Sequence, residues 1–207
     1  MDDTALREKV LKRQLPKDNA LFQSQHITIL GCGGLGSNIA MMLSRAGIGK
    51  LSLYDYDTIE YSNLNRQNYT VDEIGQSKVA ITKAKIQKTV PYVRVEAFDQ
   101  RIDPDYLESI LHSSSLFIEA FDDQQAKAMA VDIFMHHPDK YLITDSGVSG
   151  LGQLEDIQVK YCDNLCLIGN FKTTPDQGLY LPYVSIVASL QALEALKWIK
   201  NGGTYGK

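Results

Sequence analysis

The sequence predicts an α/β protein with a mainly parallel sheet, flanked by helices and extended by antiparallel strands near the C-terminus. Three observations predict it. Short β-branched runs alternate with helix-period segments through residues 26–145, the rhythm of parallel strands joined by crossover helices. A glycine fingerprint, Gly31-Cys32-Gly33-Gly34-Leu35-Gly36-Ser37, stands between the first strand and the helix after it. Past residue 145 the rhythm gives way to glycines and an alternating run, which suits a sheet edge extended by antiparallel strands. The arrangement is Rossmann-like.

A chain of 207 residues suits one domain, 1–207, with a substantial core. Apolar content of 44% and charged content of 22% place it among ordinary globular proteins. A net charge of −4 gives no reason to expect nucleic acid or an anionic membrane as partner. The acidic start Met1-Asp2-Asp3 lacks a signal-peptide core, and no apolar run is long enough for a membrane span. The three cysteines Cys32, Cys162 and Cys166 build no disulfide framework and fit a reducing, cytoplasmic setting.

Thr4 to Leu15 reads as an N-terminal amphipathic helix, with Leu6, Val10 and Leu11 on its apolar side and Pro16 ending it. His26 to Leu30 is a buried strand, Ile39 to Arg45 a helix stopped by Gly47, and Lys50 to Tyr54 the next strand. Ser77 to Thr89 is a helix that turns Val79, Ile81, Ala84 and Ile86 inward, leaving Lys83, Lys85 and Lys88 solvated. Lys78 falls in its first turn, where the helix dipole disfavours a cation, so its position asks for a nearby anion.

Val93 to Phe98 is an alternating strand, and Asp103-Pro104 caps a helix running to Leu111. Leu116 to Phe121 is a further buried strand with Asp122-Asp123 at its carboxyl end, the end where open α/β sheets bind ligands. Ala126 to Met135 is a helix, and Tyr141 to Asp145 the last clear parallel strand of the nucleotide-binding core, 26–145. Residues 153–181 read as the antiparallel extension, Gln153 to Tyr161, followed by a crossover loop. Pro182 begins a C-terminal helix, 182–200, in which Trp198 packs.

The fingerprint's glycines let backbone N–H groups approach a phosphate at a helix N-terminus. Asp55 follows about 20 residues on, where such folds place an acid on a ribose hydroxyl. Asp122-Asp123 are adjacent carboxylates that invite a cation such as magnesium, unless they serve as a helix N-cap pair.

Four blocks in order, Gly-x-Gly-Gly-Leu-Gly-Ser, Asp55-Tyr56-Asp57, Ser62-Asn63-Leu64-Asn65-Arg66-Gln67 and Gly75-Gln76-Ser77-Lys78-Val79, resemble the ThiF/MoeB/HesA family. These are the bacterial relatives of ubiquitin-activating enzymes, and the resemblance extends to Ser189–Lys197 in the last helix. It implies an adenylyltransferase that uses ATP and Mg²⁺ to activate the C-terminal glycine carboxylate of a small ubiquitin-like sulfur-carrier protein ending in Gly-Gly.

A carrier of thiamine thiazole synthesis is the first choice. Another carrier of molybdopterin-synthase type, or an ATP-dependent dehydratase acting on tRNA, are the alternatives within the family. Outside it stand a non-catalytic scaffold subunit and an NAD-dependent oxidoreductase, for which too little chain remains after the sheet.

The resemblance implies Arg66, Lys78 and Asp122 as catalytic, with Asp122 on the metal. It implies that Arg13 of a homodimer partner reaches the ATP phosphates. Gly31, Gly33, Gly34, Leu35, Gly36, Asp55, Asp57, Ser62, Asn63, Asn65, Gln67 and Asp123 complete the nucleotide site it implies. Asp123 stands where the family has asparagine and Lys127 where it has arginine. Two C-x-x-C pairs that hold zinc in many relatives are missing, so no zinc is expected. Cys166 lies off the position of the family's acceptor cysteine, nearer Phe171-Lys172-Thr173, and nothing around it in sequence lowers a thiol pKa.

Overall fold

The computed structural model describes residues 2–172 and 177–204. Seven strands form one sheet in the order β3-β2-β1-β4-β5-β7-β6. They are β1 (His26–Leu30), β2 (Lys50–Asp55), β3 (Arg94–Asp99), β4 (Leu116–Glu119), β5 (Tyr141–Asp145), β6 (Gln158–Cys162) and β7 (Leu165–Gly169). All neighbours pair in parallel except β6, which runs antiparallel to β7 at the edge.

The helices are α1 (Asp3–Val10), α2 (Pro16–Gln23), α3 (Gly36–Ala46), α4 (Lys78–Thr89), α5 (Pro104–Ile110), α6 (Gln124–Met135) and α7 (Leu181–Lys200). Strand alternation divides the core between two faces. Ile27 and Ile29 of β1 join Ile39, Leu43, Ile86 and Val187 in the layer under α2, α3, α4 and α7. Leu30, Phe117 and Leu142 point the other way, against Leu107, Ile133 and Phe134 of α5 and α6.

The chain winds outward from β1 to β2 and β3, then returns to place β4 on the other flank of β1. This reversal opens a crevice between the carboxyl ends of β1 and β4, the place such sheets keep for ligands. Two glycines set its floor. Gly31 has φ +98°, and a Cβ there would meet the Ala120 carbonyl oxygen at 2.6 Å. At Gly36 a Cβ would stand 1.9 Å from the Gly31 carbonyl oxygen, so the helix could not begin where it does.

Four sequence expectations are corrected. The single helix over 4–15 is α1, a turn, and then a second helix α2 begun by Pro16 in its first turn. α1 turns Arg7 inward and leaves Val10 exposed. The Arg7 guanidinium stays buried because it donates to the carbonyls of Gly47 (2.5 Å) and Asn19 (3.2 Å), completing the C-terminus of α3. α4 buries Thr82 and exposes Ala84, since its inward stripe runs through Lys78, Val79, Thr82 and Ile86. The expected loop after Tyr161 contains β7, which enters the sheet parallel to β5; a short strand buried on both faces carries no alternation to reveal it. The Thr173–Asp176 part of that loop lies outside the described residues.

Candidate functional site

A cleft of about 1130 Å³ opens over the carboxyl ends of the strands. Gly31, Gly33, Gly34 and Leu35 line it, together with Asp55, Asp57, Arg66, Gln67, Lys78, Asp122 and Asp123. Residues from five separate stretches of sequence therefore meet in one place.

Gly33 differs from its neighbours. A Cβ added there meets nothing nearer than the Gln67 amide nitrogen at 3.7 Å, ordinary contact distance. Protein packing does not demand glycine at this position, whereas close approach of a ligand to the backbone does. α3 begins above it with no side-chain cap at Leu35; its Ser37 and Asn38 N–H groups bond back to the Gly33 and Leu35 carbonyls at 3.1 Å, so the N–H groups open to an anion are those of the turn ahead of them. The turn is braced from behind. The Ser37 hydroxyl donates to the Gly33 carbonyl at 2.7 Å and accepts the Asn68 N–H at 3.2 Å, while the Asn38 amide donates to Gly34 O at 2.6 Å.

Asp55 closes β2 beneath this turn. Its Oδ2 accepts the Cys32 N–H at 2.6 Å and its Oδ1 the Asp57 N–H at 2.8 Å. Burial pushes its pKa up, opposed by these two N–H donors and the Lys78 charge. Asp57 in turn accepts from Lys78 Nζ at 2.7 Å. The Lys78 side chain is only 6% exposed, so the anion its helix position asked for is Asp57 itself, on the lip of the cleft.

The Ser62–Gln67 block divides between structure and site. Asn63 accepts the Glu60 N–H at 3.0 Å in a capping box, and the Asn65 amide donates to Leu179 O at 3.0 Å. Ser62 is exposed and offers its carbonyl to Arg66 Nη1 at 2.9 Å. Arg66 crosses Gly34, within 3.4 Å of where a Cβ would be, and forms no ion pair among the described residues. Gln67 is nearly buried, and its Oε1 has no hydrogen-bond partner among the described residues. That leaves a guanidinium and an amide facing the glycine turn.

Asp122 and Asp123 take separate jobs. Asp123 caps α6, accepting the Ala126 N–H at 2.8 Å. Asp122 is exposed, free of the cap, and lines the cleft. An exposed carboxylate on a cleft wall is chemically suited to Mg²⁺, which takes one or two carboxylates together with phosphate oxygens.

Lys127, in place of the family's arginine, points into a buried ionic cluster. Its ammonium pairs with Glu119 at 3.0 Å and with Asp145, and Thr144 donates to Glu119. Burial raises the Asp145 carboxyl against the pull of Lys127, and Glu119 adds repulsion. Two carboxylates share one ammonium here, so the cluster fixes the ends of β4 and β5 rather than leaving a cation for a ligand.

Arg13 is not brought to the cleft. It lies exposed in the turn between α1 and α2 and is not among the residues that line the cleft. Cys32 and Cys166 are buried and Cys162 is exposed; burial pushes the Cys32 thiol well up, away from the thiolate form. No cluster of three or more His, Cys, Asp or Glu suited to a metal occurs among the described residues.

Sequence reasoning missed several lining residues. The Arg101 guanidinium lies 5.6 Å over the Tyr56 ring, and both residues face the cleft. Only the pairing of β2 with β3 brings them together. Glu119, Thr144 and Asp145 are likewise joined only across strands.

The profile of the ThiF family matches residues 11–205. The chain is 27% identical over 189 residues to a molybdopterin-synthase adenylyltransferase of Salmonella typhimurium, covering 88% of this chain and 76% of that one. It is 29% identical over 143 residues to a sulfur carrier protein adenylyltransferase of Thermus thermophilus, covering 69% of this chain and 48% of that one. Among solved structures, the tRNA N6-threonylcarbamoyladenosine dehydratase TcdA of E. coli superposes with a TM-score of 0.85 at 22% identity, covering 94% and 93% of the two chains. The same dehydratase in complex with ATP gives 0.83. No helix among the described residues is long and apolar enough to cross a membrane.

Proposed function

Since the chain belongs to the ThiF family, we propose that it is an ATP-dependent adenylyltransferase acting on the C-terminal glycine carboxylate of a small ubiquitin-like sulfur-carrier protein. The observation that carries this reading is the pairing of a sterically unneeded Gly33 with Arg66 and Lys78 around one cleft. A bare backbone turn and two cations suit a polyphosphate. The adenylyltransferases of Salmonella and Thermus support the reaction class. A carrier of thiamine synthesis is the preferred substrate within it.

In the proposed reaction, a carboxylate oxygen of the carrier's terminal glycine attacks the α-phosphorus of ATP. The bond to the β-phosphate oxygen breaks, and pyrophosphate leaves with the electron pair. No general base is needed, because the carboxylate is already ionised at neutral pH. Two anions must meet, so the protein's task is positioning and charge neutralisation. The glycine turn and the α3 N-terminus hold phosphate oxygens, Arg66 and Lys78 balance charge, and Asp55 orients the ribose. Asp122 would hold Mg²⁺, which supplies further neutralisation of the phosphates.

Lys78 reaches the phosphates from its pair with Asp57, so binding ATP exchanges one anion for another. Arg13 is proposed to serve the cleft of a second copy, since it does not reach its own. The reaction is tested by carrier-dependent exchange between ATP and pyrophosphate.

A second reading is favoured by the near full-length superposition on the tRNA dehydratase. A threonylcarbamoyl group also ends in a carboxylate that the same cleft would activate. The net charge of −4 weighs against tRNA as the substrate.

A further inference from the structure

We propose that Tyr69 is a positioning residue that couples the glycine turn to Lys78, by closing a ring of hydrogen bonds behind the cleft. This deepens the proposed function and rests on it, since the coupling matters only if Lys78 meets phosphate.

The ring can be followed atom by atom. Cys32, inside the glycine turn, gives its N–H to Asp55 Oδ2 at 2.6 Å. Asp55 Oδ1 takes the Asp57 N–H at 2.8 Å. Asp57 receives Lys78 twice, side chain at 2.7 Å and backbone N–H to carbonyl at 3.1 Å. From Lys78 the circuit runs along α4 to Thr82 and returns through Tyr69, whose hydroxyl lies 2.9 Å from the Thr82 hydroxyl and 2.8 Å from the Cys32 carbonyl; the Lys78 carbonyl stands farther off, at 3.3 Å. Both backbone polar groups of Cys32 are thereby held, one from β2 and the other from the segment before α4.

A phenol has one proton and must choose. The Cys32 carbonyl is the nearer of the two carbonyls and takes it. The Thr82 hydroxyl, 2.9 Å away on the next turn of α4, then donates to the phenol oxygen. This accounts for a polar Thr82 on the inward stripe of α4. Tyr69 is 8% exposed, and burial raises its pKa far above neutrality, so it remains a donor.

The ring itself is held in place. Lys85 Nζ stands 5.4 Å from the centre of the aromatic face, fixed by Glu73 at 2.7 Å and Asn68 O at 2.6 Å. Lys85, which the sequence assigned to solvent, thus braces Tyr69. Without the hydroxyl, one of the two bonded paths between the glycine turn and α4 is lost, and the other runs through Asp57 and Asp55. Those are the contacts that ATP must rearrange when Lys78 turns to phosphate.

The test is calorimetric titration of Tyr69→Phe, Lys78→Ala and the double variant with ATP·Mg and with AMP. Tyr69→Phe is expected to weaken ATP·Mg about five- to tenfold, the scale of one buried hydrogen bond, and AMP by less than about twofold. In the Lys78→Ala background it should have no further effect on ATP·Mg, because the two residues act through one path. Equal weakening of both nucleotides, or additive losses in the double variant, would overturn the coupling and leave Tyr69 a packing residue. If Tyr69→Phe does not fold, Thr82→Val removes one bond of the same ring and is read the same way. A wild-type protein that binds no ATP·Mg rejects the proposed function, and the coupling falls with it.

Discussion

Lys78 and Asp57 form an ion pair at 2.7 Å, the lysine almost buried and the aspartate 43% exposed on the cleft lip. Both line the cleft, and within it they pair with each other. The pair holds a cation in the first turn of α4 against the helix dipole. Asp57→Asn leaves the ammonium without that partner, so unfolding free energy should fall by roughly 1–2 kcal/mol, discounted for the exposure of Asp57. Thermal melts with and without ATP·Mg check this. The nucleotide should raise the variant's melting temperature by more than the wild type's, and an equal rise would show that Lys78 does not meet phosphate.

Gly31 and Gly33 should separate folding from binding. Gly31→Ala forces a side chain into φ +98° and against the Ala120 carbonyl oxygen, so it should cost roughly 1–3 kcal/mol of stability. Gly33→Ala places its methyl 3.7 Å from the Gln67 amide and should melt with the wild type. Its ATP affinity should nevertheless fall at least about tenfold, because the methyl occupies the approach to the backbone. Unchanged ATP affinity in Gly33→Ala would remove this glycine from the site.

Asp145 predicts a pH dependence of stability. Burial raises its carboxyl from 3.8 to about 6, outweighing the neighbouring Lys127, with Glu119 adding to the rise. In the window from about pH 4 to about pH 6 the folded chain keeps a proton that the unfolded chain has lost. Stability therefore declines as pH rises through that window. Asp145→Asn should flatten this decline by roughly 1–3 kcal/mol, read from urea unfolding at pH 4.5 and pH 7. Parallel profiles for the two proteins would mean that Lys127 holds Asp145 ionised throughout.

Arg13 carries a prediction about assembly. Arg13→Ala and Arg66→Ala should each lose adenylating activity by about tenfold or more, the scale of one preorganised charge-stabilising group. Mixed together they should regain part of it, because one cleft of a mixed dimer combines an intact Arg66 with its neighbour's intact Arg13. A mixture shown to exchange subunits without regaining activity would exclude Arg13 from the reaction.

The local parts of this molecule were legible in its residues. The strand, the glycine turn, α3, β2 and Asp55 follow one another within thirty residues, and each has a periodicity or a backbone requirement of its own. What stayed hidden depends on pairings distant in sequence. Arg7 is buried because carbonyls at Asn19 and Gly47 come to it, and nothing near Arg7 announces them. Asp57 and Lys78 are each plausible nucleotide ligands, and only the fold of the segment between them makes them partners. β7 is a five-residue strand with little exposed surface and hence no alternation, placed where turn residues dominate. In sequence, Asp122-Asp123 suits either a metal site or a cap; the start of α6 assigns the cap to Asp123 and leaves Asp122 to the cleft.

Exchange of labelled pyrophosphate into ATP by the pure protein tests most directly whether this cleft activates a carboxylate with ATP. The assay pairs the protein with a ubiquitin-like carrier ending in Gly-Gly, the same carrier lacking its last glycine, and no carrier. Magnesium-dependent exchange is expected with the complete carrier alone, reduced at least about tenfold in Asp122→Asn and Arg66→Ala. Absence of exchange with carriers of both the thiamine and molybdopterin types, by a protein that binds ATP·Mg, would contradict it.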